Sequence, residues 1–305
     1  TMDKGMKKWQ IRILMACFIA YTAAYICRVN ISVALPGIQE ALDLSSTSVG
    51  LIGTSFFWVY AIGQLVNGYT GDKVSSRIFI FIGLVVSAQL NIFLGFSTIL
   101  IIMILLWGTN GIFQSMLWGP IVRTLSNWFP QEKDNSVAFG MSFSLIIGYL
   151  IAWGFSGLIL TKLGWRWAFW LPAGIVLILA CLWYVMVRDK PSDIGLNNIH
   201  EEDHDDGGEV ADASNQKEAK SMSFWKLISG TNLIFIAFTG IAQGIIRDSI
   251  SLWGPKLLMD TQNLSLESTI GVILVIPIIN FVGIIFARWV NKLLKFKEKV
   301  TKCYL

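Results

Sequence analysis

Eight runs of about twenty mostly apolar residues set the terms for this chain, because that is the length a helix needs to cross the hydrocarbon core of a bilayer. They lie at 11–35, 49–70, 78–96, 98–122, 136–161, 166–187, 231–255 and 268–290. Lipid offers no water to backbone N–H and C=O groups, so such runs must fold as helices that bond internally. The alternating pattern of a membrane β-barrel is absent, and the fold class expected is an all-α membrane protein. Only 14% of residues are charged, against roughly 25% in a soluble domain, and the mean hydropathy is +0.60. Thirteen Trp and nineteen Phe fit rings placed at lipid–water boundaries. These values exclude a disordered chain, a disulfide-stapled secreted domain and a water-soluble enzyme. The first run is too long, and too polar toward its end, for a cleaved signal peptide. Cys17, Cys27, Cys181 and Cys303 show no CxxC spacing, and the first three read as small packing residues within apolar runs. Gly95-Phe96-Ser97 reads as a tight loop between the third and fourth runs.

The charges orient the spans. With a cytoplasmic N-terminus, 19 of the 24 Lys and Arg residues fall inside, three (Lys162, Arg166, Lys256) fall outside, and Arg28 and Arg247 lie within spans. This positive-inside asymmetry predicts a multi-pass protein of the plasma membrane. It also accounts for the net charge of +4 without a nucleic-acid partner. Residues 189–222 carry the acidic run His200-Glu201-Glu202-Asp203-His204-Asp205-Asp206 and read as a solvated cytoplasmic linker. Its HxxxH pair is a solvated-linker feature rather than a metal site. The organisation expected is a six-helix unit over 1–188, a linker over 189–222, and the first two helices of a second unit over 223–305.

The two units are related. Arg28-Val29-Asn30-Ile31-Ser32-Val33-Ala34-Leu35-Pro36 aligns with Arg247-Asp248-Ser249-Ile250-Ser251-Leu252-Trp253-Gly254-Pro255 at an offset of 219, with Arg, Ile, Ser and Pro in common. At the same offset Asp72-Lys73 falls on Asn291-Lys292. The pattern is a parallel repeat in which the seventh span restarts the first, as in the two halves of a major facilitator transporter. Each arginine then lies about 25 Å from the start of its span, at 1.5 Å per residue. An arginine at that depth costs at least about 2.5–3.5 kcal/mol on insertion scales. Two explanations stand: snorkelling to the interface, or a pair of guanidiniums facing a water-filled cavity. Such a pair suits a phosphate, phosphonate or carboxylate, which guanidinium grips at two points. Tyr21 and Tyr25 share one helical face with Arg28, as cavity wall or as aromatic packing.

Several stretches resemble the organophosphate:phosphate antiporter family of the major facilitator superfamily. Tyr21-x3-Tyr25-x2-Arg28 looks like its first helix, and Gly68-Tyr69-Thr70-Gly71-Asp72-Lys73-x3-Arg77 is similar to the superfamily loop after helix two. Phe113-Gln114-x-Met116-x-Trp118-x-Pro120-x2-Arg123-Thr124-x3-Trp128 looks like its fourth helix. Gly164-Trp165-Arg166-Trp167-Ala168 and Arg188-Asp189-x-Pro191-x3-Gly195-Leu196 resemble the flanks of helix six, and Arg247 with Trp253-x-Pro255 resembles helix seven. The resemblance covers about residues 11–292. It implies a twelve-helix fold, eight helices of which are present here. It also implies alternating access, in which two bundles rock about a site where Arg28 and Arg247 hold a substrate phosphate and exchange it for inorganic phosphate. Tyr21, Tyr25 and Tyr60 lie near them by the same resemblance. The loop residues Gly68, Asp72, Lys73 and Arg77 would gate the cytoplasmic side. No cofactor or metal is expected.

The departures from that pattern matter. Gln64 stands where glycerol-phosphate members place a lysine, and Ser144 where they place a histidine. Asp248 adds an acid directly after Arg247; it reads either as a group that couples substrate binding to a proton or, since successive helix residues diverge by about 100°, as one that points at a neighbouring helix. The site is thereby less positive than a dianionic phosphate ester would prefer. Arg28 to Ala34 also resembles the proton-coupled symporters of sugar acids, which keeps carboxylate substrates open, and the family includes a non-transporting sugar-phosphate receptor. No Walker A, HExxH or GxSxG motif supports an enzyme. The remaining helices of a twelve-helix fold would come from the rest of the gene or from a second chain.

Overall fold

The computed structural model describes residues 4–71, 73–199 and 233–294. Among them are ten α-helices: α1 Lys4–Ala41, α2 Ser46–Gly71, α3 Ser76–Phe96, α4 Leu100–Gln114, α5 Trp118–Trp128, α6 Asp134–Leu163, α7 Trp167–Met186, α8 Leu233–Gln262, α9 Leu266–Ile273 and α10 Val275–Leu294. Asp72, His200 to Met222, the last residues of the linker, and Cys303 lie outside the described residues.

Two of the expected spans are broken helices. The fourth runs from Leu100 to Trp128 with an interruption at 115–117, and the eighth breaks at Leu274. The cause is the same in both. Pro120 and Pro277 each stand third in the new helix; lacking an N–H and clashing with the carbonyl four residues back, proline cannot continue the preceding helix. The hairpin between the third and fourth spans turns at 97–99 rather than at Gly95-Phe96, which remain helical.

Seven spans are long and apolar enough to cross a membrane among the described residues. The sequence suggested eight; the seventh of these is α8, a 30-residue helix that carries Arg247, Asp248, Lys256 and Asp260. The faces turned away from neighbouring helices are apolar, with Leu65 80% exposed and Trp58 72% exposed. A soluble protein would not leave so many large apolar side chains uncovered.

Helix α1 is central: it packs against α6, α7 and α8, while α2 pairs with α4, and α3 with α4 and α7. Helices α9 and α10 lie on α6. Two of the three apolar clusters make up most of the interior of the first six spans. One, around Cys17, Leu84 and Trp128, surrounds the half where α1 begins; the other, around Leu35, Ile52 and Trp107, fills the opposite half. A layer of buried amides lies at the level between them. Asn30 donates to Asn91 Oδ1 at 2.9 Å and to the Ala168 carbonyl at 3.0 Å. Asn91 donates to the carbonyls of Cys27 and Ser87, and Asn110 also donates to Cys27. Gln114 reaches the Ala24 carbonyl and Ser87 Oγ. Buried polar groups need such partners, and here they tie α1, α3, α4 and α7 into one unit.

The later helices join this unit mainly at the end where α1 finishes. A Cβ on Gly53 would lie 2.8 Å from Leu252 Cδ1, and one on Gly50 would lie 2.8 Å from Trp253. Gly157 of α6 likewise receives Ile270 of α9. Small residues permit this close helix approach. The first half of α8 is open by comparison, with Phe238, Ile241 and Ile245 exposed.

Candidate functional site

Where α1, α2, α4, α6 and α8 converge, they leave a small, partly open cavity. Arg28 and Asp248 are the charged residues lining it, with Ser32, Ser251, Phe56, Trp107 and Tyr149 among its walls. Arg28 is held by aromatic faces: its guanidinium carbon lies 4.5 Å from the Tyr60 ring centroid, 5.1 Å from Phe56 and 5.5 Å from Tyr25. Cation–π contacts of this kind hold a cation in a desolvated setting without neutralising it. Among the described residues the ion pairs are Arg247–Asp248 and Lys256–Asp260, so Arg28 keeps a full positive charge toward the cavity.

Arg247 is different. Its Nε donates to Asp248 Oδ1 at 2.9 Å and its Nη2 to Oδ2 at 3.4 Å. The acid thus bridges the two halves of the repeat, gripping Arg247 while lining the cavity of Arg28. Ser32 and Ser251, also 219 positions apart, line the same cavity. Ser32 is engaged already, donating to the Val29 carbonyl at 2.7 Å and accepting from Trp153 Nε1 at 3.0 Å.

The tyrosines gather as one aromatic cluster. Tyr21 meets Tyr25 edge-on at 5.3 Å between centroids, and Tyr25 packs on Tyr149 at 5.0 Å. Gln64 joins through its neighbour one turn back, its Nε2 lying 2.6 Å from the Tyr60 hydroxyl. Ser144 stands apart from the cavity. It is fully buried, its hydroxyl bonds to Met141 O of its own helix, and its carbonyl accepts from Thr22 Oγ1. Phe56, Trp107 and Tyr149 are cavity residues that the motifs did not single out. The signal for Ser251 was present in the repeat offset.

The loop residues are placed far from this cavity. Arg77 lies at the start of α3, where its Nε donates to the Tyr184 carbonyl and its backbone N–H donates to Asp189 Oδ1. Lys73 Nζ donates to the Tyr69 hydroxyl. Gly68 has open space beside it, whereas Gly71 is the position that packs closely, against Pro120. Arg123 of α5 donates to the Gly71 carbonyl. Cys17 and Cys27 are buried free thiols, while Cys181 is exposed.

Comparison with known proteins decides the family. The model of the Major Facilitator Superfamily matches residues 17–303. The chain belongs to the Major Facilitator Superfamily. Superfamily relatives include a probable hexose phosphate transport protein of Chlamydia trachomatis, 28% identical over 94% of this chain and 65% of its own length. A hexuronate transporter of Bacillus subtilis is 30% identical over 93% of this chain and 65% of its length. Among solved structures, a bacterial homolog of the human lysosomal transporter Spinster shares the fold, with a TM-score of 0.69 and 18% identity over 93% of this chain and 63% of that one. The chain therefore spans about 65% of the length of the curated relatives it matches. Relatives named for hexose phosphate and for hexuronate transport stand beside the resemblance to organophosphate antiporters noted in the sequence.

Proposed function

We propose that this chain carries the binding site of a secondary transporter of organic anions, taking phosphate esters in exchange for inorganic phosphate by alternating access. The observation that supports the reading most is the guanidinium of Arg28, half-buried among Tyr25, Phe56 and Tyr60, outside the ion pairs of the described residues and facing a cavity. A cation kept there at an energetic cost is placed to meet an anion. Arg247 supplies the second guanidinium from the repeat-related helix once Asp248 yields it. With the N-terminus cytoplasmic and the protein in the plasma membrane, the end where α2 meets α8 faces outward, and the cavity opens inward. Lys73 and Arg77 then lie at the cytoplasmic side, where with Asp72 they act on gating. The six-helix unit, linker and second unit form the moving parts.

A second reading is favoured by Asp248 in the cavity wall: symport of a sugar acid, with Asp248 carrying the coupled proton.

Uptake of labelled phosphate and sugar phosphate into phosphate-loaded vesicles tests the two, using the protein expressed from its complete gene. Exchange that needs internal phosphate supports antiport. Uptake of a sugar acid driven by a proton gradient, with no phosphate exchange, would replace it with symport.

A further inference from the structure

The two arginines are related by the repeat but are not equivalent electrically. The residue after Arg28 is Val29, buried and apolar; the residue at the matching position after Arg247 is Asp248. Asp248 holds Arg247 at two points, 2.9 Å and 3.4 Å, and lines the cavity beside Arg28. With Gln64 and Ser144 neutral, the arginine pair and this one acid leave a formal net charge of +1 at the site. An anion entering beside Arg28 meets the Asp248 carboxylate across the cavity. Its repulsion rises in proportion to the charge the anion carries.

We propose that Asp248 is the charge selector of the site: it occupies Arg247 in the empty protein and favours singly charged oxyanions over dianions. The ligands that satisfy this condition are a sugar acid carboxylate or a phosphate ester bearing one proton. Both present two oxygens to a guanidinium, and both bring one negative charge to a site with one positive charge to spare. A dianion doubles its attraction to Arg28 as well as its repulsion from Asp248, but the cost of stripping its water rises with the square of its charge, and one net positive charge offsets a smaller share of that cost while the acid holds Arg247. The inference rests on the reading that this cavity binds organic anions.

The test uses ligands of one shape and different charge. Near pH 8 glucose 6-phosphate carries close to two negative charges, since its second ionisation lies near pH 6, while glucose 6-sulfate carries one. Binding of each is measured in competition on the purified product of the complete gene, with gluconate in parallel to sort planar from tetrahedral monoanions. In the wild type the sulfate ester or gluconate should bind at least as tightly as the phosphate ester. Asp248→Asn keeps the side-chain shape and removes the charge; if the sulfate ester gains about threefold, the phosphate ester should gain about tenfold, because the relief doubles with charge. Asp248→Glu should retain the wild-type preference. A wild type that binds the phosphate ester tenfold more tightly than both monoanions overturns the proposal without any variant. So does an unchanged phosphate-to-sulfate ratio in Asp248→Asn. Failure of all three ligands to bind the wild type refutes the anion-site reading itself.

Discussion

Asn91 is the most informative position for asking what the buried amide layer contributes. Its side chain accepts from Asn30 at 2.9 Å and donates to the Cys27 carbonyl at 3.1 Å, two bonds that join α3 to α1. Asn91→Leu removes both with little change of volume. The partners are not stranded: Asn30 keeps the Ala168 carbonyl, and the Cys27 carbonyl keeps Asn110. The cost is therefore that of two interhelical bonds without a large orphan penalty. Such bonds in membranes average about 0.6 kcal/mol and reach about 1.7, so the loss should be about 1–3 kcal/mol. Thermal unfolding can be followed by reaction of a thiol dye with Cys17 and Cys27, which are buried, in a background with Cys181 and Cys303 replaced by serine. The midpoint should fall by several degrees, at about 2–4 °C per kcal/mol for a chain of this size class. A cycle with Asn30→Leu should return a coupling within the same range per bond. A midpoint unchanged within about one degree would refute the reasoning, and a rise would show that the layer costs stability.

Arg28→Lys should weaken anion binding by roughly thirtyfold, about 2 kcal/mol, because an ammonium cannot reproduce a two-point grip; binding within a few-fold of wild type, read by isothermal titration, would make the arginine structural. Gly53→Val should hold Leu252 off α2 and raise the reactivity of a cysteine placed at Ser251 toward an impermeant reagent added outside; unchanged labelling would show that this contact does not close the site. A cysteine at Ser214 should stay unlabelled from outside intact cells, and efficient labelling would reverse the assigned orientation.

Much of the framework was legible because a bilayer demands long apolar helices and because the repeat repeats its chemistry. Tyr21, Tyr25 and Arg28 could be placed on one face from their spacing alone, and the 219 offset set Ser251 against Ser32, which line the same cavity, while Arg247, set against Arg28, is not among the lining residues. The walls at Phe56, Trp107 and Tyr149 were not legible, since an aromatic in an apolar run looks the same facing lipid or cavity until helix pairing is known. Ser144 shows the converse: its motif position suggested a ligand, but a serine in a helix can satisfy itself on the carbonyl three residues back. The helix breaks before Pro120 and Pro277 carried a readable signal that the unbroken hydropathy of each run concealed. Gly68 and Gly71 differ only through what stands opposite them, and Pro120 stands opposite Gly71.

At the end where α1 finishes, the seam between the two repeat-related parts is apolar. Leu252, Trp253 and Ile270 seat against glycines of α2 and α6, and the ion pairs among the described residues both lie within α8. Parting such a seam exposes apolar surface to water, which carries a large positive heat capacity and little electrostatic work. The opening step should then follow a curved rather than a straight dependence on temperature, slowing disproportionately at one extreme, while remaining indifferent to ionic strength. Transporters whose outer closure is made of salt bridges would respond in the opposite sense, gaining speed with added salt. In the proposed alternating-access cycle, the glycines thus set the external conditions to which opening responds.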